Sequence, residues 1–218
     1  EVLKMGDVVG VAAMIETLDE SVGRILRTIE KHQLRENTLV IFYSDNGGKV
    51  SYASQRPFRK GKGWLYEGGI RVPLIARYPG VISENRINEE MVTSNDFYPT
   101  FCSLLDEPLS ERAMDGVNLM PLLSGERDTL NRNTLYWHYP HYHGGSGMRP
   151  AGAIRKGNYK LIIWYEELLM DDTSPYELYN LKRDPGETNN LADRMPDKVE
   201  ELKSGFNKWK KEVNAQMP

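Results

Sequence analysis

The sequence predicts an α/β fold followed by a small antiparallel β-sheet that packs with a C-terminal helix. In the first half, apolar residues at helical spacing precede the apolar run Leu39–Tyr43, which has the composition of a buried strand. From Thr134 onward, aromatic-rich runs typical of strands follow one another without an intervening helix. The last stretch, Met195–Val213, returns to helical spacing. This order predicts two domains, residues 1–133 and residues 134–218.

The first predicted helix has apolar residues three and four positions apart, with charged residues between them. Its apolar positions are Val11, Met14, Ile15, Leu18, Val22, Ile25, Leu26 and Ile29. The run Leu39–Tyr43 and a second run, Ile70–Tyr78, are expected to be buried strands of the parallel type. Pro73 predicts an edge position or a bulge in the second run, because proline cannot donate to the ladder. Two such strands cannot form a covered sheet alone, so further strands are expected from another chain, another copy or a preceding segment.

The remaining elements are separated by loops rich in glycine and proline. A helix is expected within Asn95–Leu105, and Asp106–Asn133 is expected to be a connection on the surface. The predicted strands of the small sheet are Thr134–Tyr139, Ala151–Tyr165 with a hairpin turn at Gly157–Asn158, and Tyr176–Leu181.

Composition excludes several classes of function. The net charge of −3 over 218 residues gives no basic field for nucleic acid, and no apolar run is long enough to span a membrane. The single cysteine, Cys102, excludes an intrachain disulfide. The first residue is Glu1 rather than methionine, so the lack of a targeting segment says little about compartment.

The most informative motif comes directly after the first strand and has the sequence Ser-Asp-Asn-Gly-Gly, Ser44–Gly48. Ligands of open α/β sheets lie beyond the carboxyl ends of strands. Asp45 and Asn46 place a carboxylate and an amide oxygen side by side there, which suits Ca²⁺ or Mg²⁺ better than a soft metal. Asn-Gly is also a strong hairpin signal. The residues after Gly48 do not mirror the preceding strand, which favours the metal site over the hairpin.

A second polar cluster, Arg59–Gly69, begins with three cations in four positions. Gly61 and Gly63 flank Lys62, and glycine adds no bulk that would keep the loop from an oxyanion. Alone, the cluster is more typical of a solvated basic loop. Next to a metal site, a lysine here would help to neutralise a sulfate or phosphate ester.

Several motifs in one order resemble the sulfatases of the alkaline phosphatase superfamily. The resemblance extends over most of the chain, and the shared order makes it more specific than any single motif. The matching segments are the helix Met14–Gly23, FYSDNG at Phe42–Gly47, GKGWLYEGGIRVPLIARYPG at Gly61–Gly80, Ser94–Thr100, Asp115–Leu119, and Glu177–Leu181 with Asp184–Leu191. The resemblance implies the C-terminal part of an alkaline-phosphatase-like α/β sandwich, from a parent that hydrolyses sulfuric esters.

The resemblance also implies roles for individual residues. Asp45 and Asn46 match the second pair of ligands to the active-site divalent cation, with Ca²⁺ expected rather than Mg²⁺. Lys62 matches the lysine that contacts the sulfate oxygens, which makes it the candidate catalytic and substrate-binding residue. Structural positions are matched by Glu67, Gly68, Gly69 and Arg71.

Other charged residues near these motifs have less specific expectations. Arg71 is expected to pair with an acid, whereas Arg59 and Lys60 are expected to be solvated. The segment Trp137–Gly145 is rich in histidine and aromatic residues. Its irregular spacing favours a pocket wall that contacts a sugar over a transition-metal site. His138 is therefore the candidate substrate contact in this segment.

The family's nucleophile is absent from these residues. Sulfatases of this type use a formylglycine made from the first residue of a Cys/Ser-x-Pro-x-Arg motif, and neither Cys102 nor any serine here begins one. The family's first pair of aspartate ligands and its earlier lysine and histidine are also absent. The chain is thus expected to be a C-terminal sulfatase segment that needs a missing N-terminal sulfatase segment and is inactive alone.

The parent is expected to act on a sulfated carbohydrate or an aryl sulfate, without a nucleic-acid partner. The resemblance suggests a periplasmic, extracellular or lysosomal location. Two alternatives stay open: a phosphate or phosphonate ester hydrolase of the same superfamily, and a non-catalytic remnant or accessory half.

Overall fold

The computed structural model describes residues 5–110, 114–170 and 174–217, with the backbone alone for residues 5–8. The chain divides into two compact units. The first, here named the sheet unit, contains Ser44–Pro73 and the chain from Thr134 onward, with the described residues up to Ala13. The second, the strand-pair unit, contains Met14–Tyr43 and Leu74–Asn133. None of the described helices combines the length and apolar character needed to cross a bilayer.

The predicted boundary between residues 133 and 134 coincides with a change of unit, but Ser44–Pro73 belongs to the sheet unit. The physical reason is apolar packing. Leu65 and Tyr66 bury in one cluster with Ile162 and Trp164 of the small sheet. The division into domains 1–133 and 134–218 stays a prediction.

Helix α1 (Met5–Lys31) confirms the first predicted helix and extends it towards the N-terminus. The described residues cover only part of its apolar stripe, since Met14, Ile15 and Leu18 are 72%, 60% and 51% exposed. A single 3-10 turn, Arg35–Asn37, follows and leads to the first strand.

Strands β1 (Val40–Tyr43) and β2 (Leu74–Arg77) pair in antiparallel register, with Tyr43 opposite Leu74. The predicted parallel relation was therefore wrong. The described connection holds only one helix, the four-residue α2 (Glu67–Ile70), so it provides no crossover helix, and β2 returns beside β1 in the opposite direction.

The second strand is shorter than the predicted run Ile70–Tyr78, because α2 extends to Ile70 and Pro73 cannot donate to a ladder. The Pro73 carbonyl instead accepts a hydrogen bond from the Ser44 N–H at 3.4 Å. The expected burial was also wrong, since Phe42 is 38% and Ile75 61% exposed. The described residues add no further strand to this pair.

Helix α3 (Phe97–Leu104) confirms the predicted helix at this position. Just before it, the fully buried Asp96 accepts hydrogen bonds from both terminal nitrogens of Arg132, at 2.6 and 2.7 Å. The connection that follows contains helix α4 (Met120–Ser124), in which Leu122 is buried. The segment predicted as a surface connection is thus partly buried.

The small sheet has the order β3-β4-β5-β6 and is antiparallel throughout, as predicted. Gly157, with a φ of 56°, lies in the predicted hairpin turn between β4 and β5. Its strands are β3 (Thr134–Tyr139), β4 (Ala151–Lys156), β5 (Tyr159–Trp164) and β6 (Tyr176–Asn180). Helix α5 (Pro196–Glu212) confirms the predicted C-terminal helix.

Both faces of this sheet are buried. Helix α5 covers one face, where its buried side chains Val199, Leu202 and Phe206 cluster with residues of β4, β5 and β6. On the other face, Leu65 and Tyr66 pack in one cluster with the alternate residues of β5. This second face therefore supports the polar segment that carries Lys62.

This assignment of the core can be tested at Phe206, a residue of α5 whose side chain is fully buried against the sheet. Phe206→Ala is expected to lower the free energy of unfolding by about 3–5 kcal/mol, since it removes apolar contacts and leaves a cavity. The control is Lys208→Ala in the same helix, where the side chain is 78% exposed, and its change is expected to stay within about 0.5 kcal/mol. Urea unfolding followed by circular dichroism measures both, and equal effects would contradict the assigned core.

Candidate functional site

Two polar segments of the predicted site meet through their backbones. The Gly47 N–H donates to the Gly69 carbonyl at 2.9 Å, and the Lys62 N–H donates to the Gly48 carbonyl at 3.0 Å. All of these residues belong to the sheet unit. The structure therefore holds the loop that carries Asp45 and Asn46 beside the segment that carries Lys62.

Asp45 and Asn46 lie in a loop with its own hydrogen bonds. The Asp45 Oδ1 accepts from the Asn46 N–H at 2.9 Å, and the Ser44 Oγ donates to the Asn46 carbonyl at 3.0 Å. The Asn46 Nδ2 donates to the Gly47 carbonyl at 3.0 Å, which leaves the side-chain oxygen as an acceptor. Neither Asn46 nor Gly47 has a positive φ, and β1 pairs with β2, so the hairpin alternative was wrong.

Glycine is required where the two segments cross. A Cβ atom on Gly47 would lie 1.8 Å from the Gly68 carbonyl oxygen. One on Gly61 would lie 2.3 Å from the Gly48 carbonyl oxygen. Backbone atoms cannot yield at such distances, so these glycines allow an approach that no side chain would permit.

Arg59 fixes one end of the Lys62 segment. Its Nη1 donates to the Tyr179 hydroxyl at 2.9 Å and to the Glu187 carbonyl at 3.0 Å. Its guanidinium carbon also lies 4.1 Å from the centre of the Tyr66 ring. The prediction that Arg59 is solvated was therefore wrong. Lys60 is exposed as predicted, with its ammonium 4.4 Å from the centre of the Trp64 ring.

Glu67 fixes the other end through a buried ion network. The Lys160 Nζ lies 3.1 Å from the Glu67 Oε1 and 2.8 Å from the Glu187 Oε1, and all three side chains are at most 1% exposed. The Glu67 N–H donates to the Glu187 Oε2 at 2.6 Å. Burial raises the pKa of Glu187, although the Lys160 ammonium opposes this rise. The Arg71 Nη1 lies 3.9 Å from the Glu67 Oε2, which confirms that Arg71 pairs with an acid.

Lys62 lies at the exposed tip of this segment. The next residue, Gly63, has a φ of 84°, and a Cβ there would lie 2.7 Å from the Ser146 Oγ. The Trp64 Nε1 donates to the Ser146 carbonyl at 3.1 Å. The backbone around Lys62 is thus held on one side by Gly48 and on the other by the β3–β4 connection.

His138 lies in β3, and both nitrogens of its ring are engaged. Its Nδ1 lies 2.6 Å from the Tyr165 hydroxyl, and its Nε2 lies 2.6 Å from the Gln216 carbonyl oxygen. The structure does not place His138 among the contacts of Lys62 given above, and its role as a substrate contact stays a prediction. Within the described ranges, no cluster of three or more histidine, cysteine or acidic side chains is arranged to hold a metal ion.

Sequence reasoning missed Lys160, Glu187 and Ser146, which hold the Lys62 segment in place. A signal for Lys160 was present: it shares one face of β5 with Ile162 and Trp164, so alternation places a charge where apolar side chains are expected. No comparable signal identifies Ser146, because its contact with Gly63 joins two distant loops.

The close contact at Gly47 gives a direct test of the crossing. Gly47→Ala is expected to lower the free energy of unfolding of the chain by about 1–3 kcal/mol, because its Cβ would overlap the Gly68 carbonyl and force the loops apart. Gly144→Ala is the control, since a Cβ there meets no atom within 4 Å. Urea denaturation measures both variants, and a Gly47→Ala chain as stable as the control would contradict the crossing.

Comparison with known proteins shows what the chain is similar to. The family model for the C-terminal part of N-sulphoglucosamine sulphohydrolase matches residues 58–215. A sulfatase of Formosa agariphila is 39% identical over 203 residues, which cover 85% of this chain and 35% of that protein. Human arylsulfatase A is 34% identical over 209 residues, which cover 85% of this chain and 40% of that protein.

A solved structure gives the same result for the fold. That structure holds a protein in complex with its substrate, D-glucosamine-2-N,6-O-disulfate. The TM-score between the two structures is 0.77 and the sequence identity is 28%. The match covers 94% of this chain and 40% of that one. This likeness confirms the predicted fold, the C-terminal part of an alkaline-phosphatase-like α/β sandwich with a small antiparallel sheet and a C-terminal helix. The chain spans well under half of each of these proteins. By its match to the family model and to these relatives, the chain belongs to the sulfatase family, as a C-terminal portion.

Proposed function

We propose that this chain is the C-terminal part of an enzyme that hydrolyses a sulfate ester on a carbohydrate. The observation that carries the proposal is the backbone junction between the Asp45–Asn46 loop and the Lys62 segment in a member of the sulfatase family. Two comparisons support a sulfated sugar as the substrate class. The matching family model is named for N-sulphoglucosamine, and a similar solved structure holds a disulfated glucosamine as its substrate.

The Asp45–Asn46 loop is proposed to contribute ligands to a divalent cation, with Ca²⁺ favoured over Mg²⁺. The chemistry of this pair fits such a cation, because a carboxylate oxygen and an amide oxygen are hard ligands. The Asn46 amide nitrogen already donates a hydrogen bond to the Gly47 carbonyl, so the amide oxygen is the atom left for the cation. The pair offers at most two carboxylate oxygens and one amide oxygen, whereas Ca²⁺ takes about six to eight. Other ligands must therefore join them. When bound, a divalent cation supplies positive charge that stabilises the sulfate oxygens.

Lys62 is proposed to bind a sulfate oxygen through its ammonium group. The group has three donors and a positive charge, and the residue is exposed at the tip of its segment. Because the Gly48 carbonyl holds the Lys62 backbone, the Lys62 side chain starts from a fixed point against the loop that carries Asp45 and Asn46. A positioned charge stabilises developing negative charge without reorganising during the reaction.

The isolated chain should show how much of the site it contains. We expect no turnover of an aryl sulfate by the purified 218-residue chain, because no Cys/Ser-x-Pro-x-Arg nucleophile motif is present. We also expect a Ca²⁺ dissociation constant above about 10⁻³ M, because the Asp45–Asn46 pair provides few oxygens. With protein of verified mass, a chromogenic aryl sulfate assay measures the turnover, and calorimetry measures the Ca²⁺ dissociation constant. Turnover by the chain alone would contradict the proposed division of the site.

The roles of single residues can be tested in a full-length protein that joins this chain to its upstream sulfatase segment. Lys62→Ala is expected to lower kcat/KM for a sulfated sugar by about 10²–10³, the typical loss for one charge-stabilising donor. Asp45→Ala should cause a loss that added Ca²⁺ partly restores, because it weakens cation binding. The control is Lys49→Ala, which removes a nearby exposed lysine whose ammonium lies 4.7 Å from the centre of the Tyr52 ring. Equal activities of the Lys62→Ala and Lys49→Ala proteins would reject the role of Lys62.

A further inference from the structure

The segment Arg59–Glu67 carries Lys62 at its tip and has no helix or strand before α2, which begins at Glu67. Its ends are nevertheless firmly placed. Arg59 donates to the Glu187 carbonyl at 3.0 Å, and the Glu67 N–H donates to the Glu187 carboxylate at 2.6 Å. Both ends of the segment therefore converge on one residue, Glu187, which is fully buried.

Glu187 is itself held in an unusual state. Its φ of 52° lies in the left-handed region that few non-glycine residues adopt, and such strain persists only where surrounding contacts impose it. The charged partner of its carboxylate is Lys160, whose ammonium lies 2.8 Å from the Glu187 Oε1. The same ammonium lies 3.1 Å from Glu67. Lys160 thus joins the two acids that end the segment.

The choice of lysine at this position is informative. Lys160 lies on the face of β5 that also presents Ile162 and Trp164 to an apolar cluster, so an apolar side chain would fit the face. A buried ion group is a poor source of stability compared with apolar packing, because both charges lose their hydration. An apolar residue would not hold Glu67 and Glu187 at one fixed separation. The Lys160 ammonium does so, and it thereby fixes one path for the chain between Arg59 and Glu67.

We propose that Lys160 is a positioning residue for Lys62: its buried contacts with Glu67 and Glu187 fix the position and direction of the Arg59–Glu67 segment relative to the Asp45–Asn46 loop. The proposal rests on the proposed function of Lys62. A displacement of about 1 Å at a reacting group is sufficient to lower a rate by about 10²-fold, so a residue that never meets the substrate can control activity in this way.

The first test uses amide hydrogen exchange of the 218-residue chain, read by NMR at Lys62 and Gly47, whose N–H groups bond to Gly48 and Gly69. In Lys160→Met, these two amides are expected to exchange at least about tenfold faster than in a variant of equal overall stability. Leu202→Ala is the comparison, because Leu202 of α5 is buried on the opposite face of the sheet, and urea is added until both variants have the same free energy of unfolding. Equal exchange of the Lys62 and Gly47 amides in the two variants would overturn the proposal.

A second variant decides the question if Lys160→Met does not fold. The triple change Lys160→Met, Glu67→Gln and Glu187→Gln removes the three buried charges, and such neutral replacements are often tolerated. It keeps the guanidinium groups of Arg71 and Arg155, each of which lies 3.9 Å from the Glu67 Oε2. We expect it to fold and still to lose protection at Lys62, because no ammonium joins positions 67 and 187. Protection at the wild-type level in the triple variant would show that the network serves stability alone and would overturn the proposal.

Activity of the full-length protein separates this proposal from the proposed function. We expect the Lys160 variants to lower kcat/KM for a sulfated sugar by about tenfold or more at a temperature where Leu202→Ala is fully active. If Lys62→Ala leaves activity unchanged while Lys160→Met still speeds hydrogen exchange of the Lys62 amide, the proposed function fails and the positioning role of Lys160 stands. If Lys62→Ala abolishes activity and Lys160→Met changes neither exchange nor kcat/KM, the positioning fails and the function stands.

Discussion

The buried contacts of Lys160 with Glu67 and Glu187 are the constraint on which the candidate site depends. Removing one ammonium and two carboxylates from water is unfavourable, and close ion pairs together with the Glu67 N–H bond offset this only while the geometry is kept. An arrangement of this kind tolerates little displacement, since moving one partner leaves another charged and buried. The sheet unit therefore gives an irregular segment a fixed path without forming a regular element.

The division of labour within the sheet unit follows from that constraint. One face of the small sheet packs on α5 and supplies ordinary apolar stability. The other face combines apolar side chains with Lys160 and holds the Lys62 segment, whose glycines then contact the Asp45–Asn46 loop through backbone atoms. Lys62 itself is exposed, which suits a group that must meet a ligand, while Gly61 before it and residues 65–69 after it are buried. Rigidity and access thus come from different residues.

The sequence was sufficient for whatever depends on local pattern. Helical spacing placed α1 and α5, and the Gly157–Asn158 turn placed a hairpin. The polar residues after β1 and around Lys62 indicated two segments that meet in the structure through their backbones. It was not sufficient for pairings between distant residues. The direction of β2 relative to β1 depends on how the intervening chain returns, and apolar runs carry no direction. Arg59 appeared solvated because its partners, Tyr179 and Glu187, lie far away in the sequence.

The placement of the Asp45–Asn46 loop also bears on the cause of the low Ca²⁺ affinity that we predict for this chain. Much of the apolar stripe of α1 and residues of both β1 and β2 are exposed among the described residues, so those elements gain little from burial here. The loop, in contrast, is fastened to the well-packed sheet unit through the Gly47–Gly69 and Lys62–Gly48 hydrogen bonds. The two proposed ligands are therefore on an ordered loop, and a low affinity for Ca²⁺ would reflect the number of oxygens rather than an unformed loop. For the same reason, ligands added from outside this pair would meet an ordered partner, and the entropy of fixing Asp45 and Asn46 would not oppose binding.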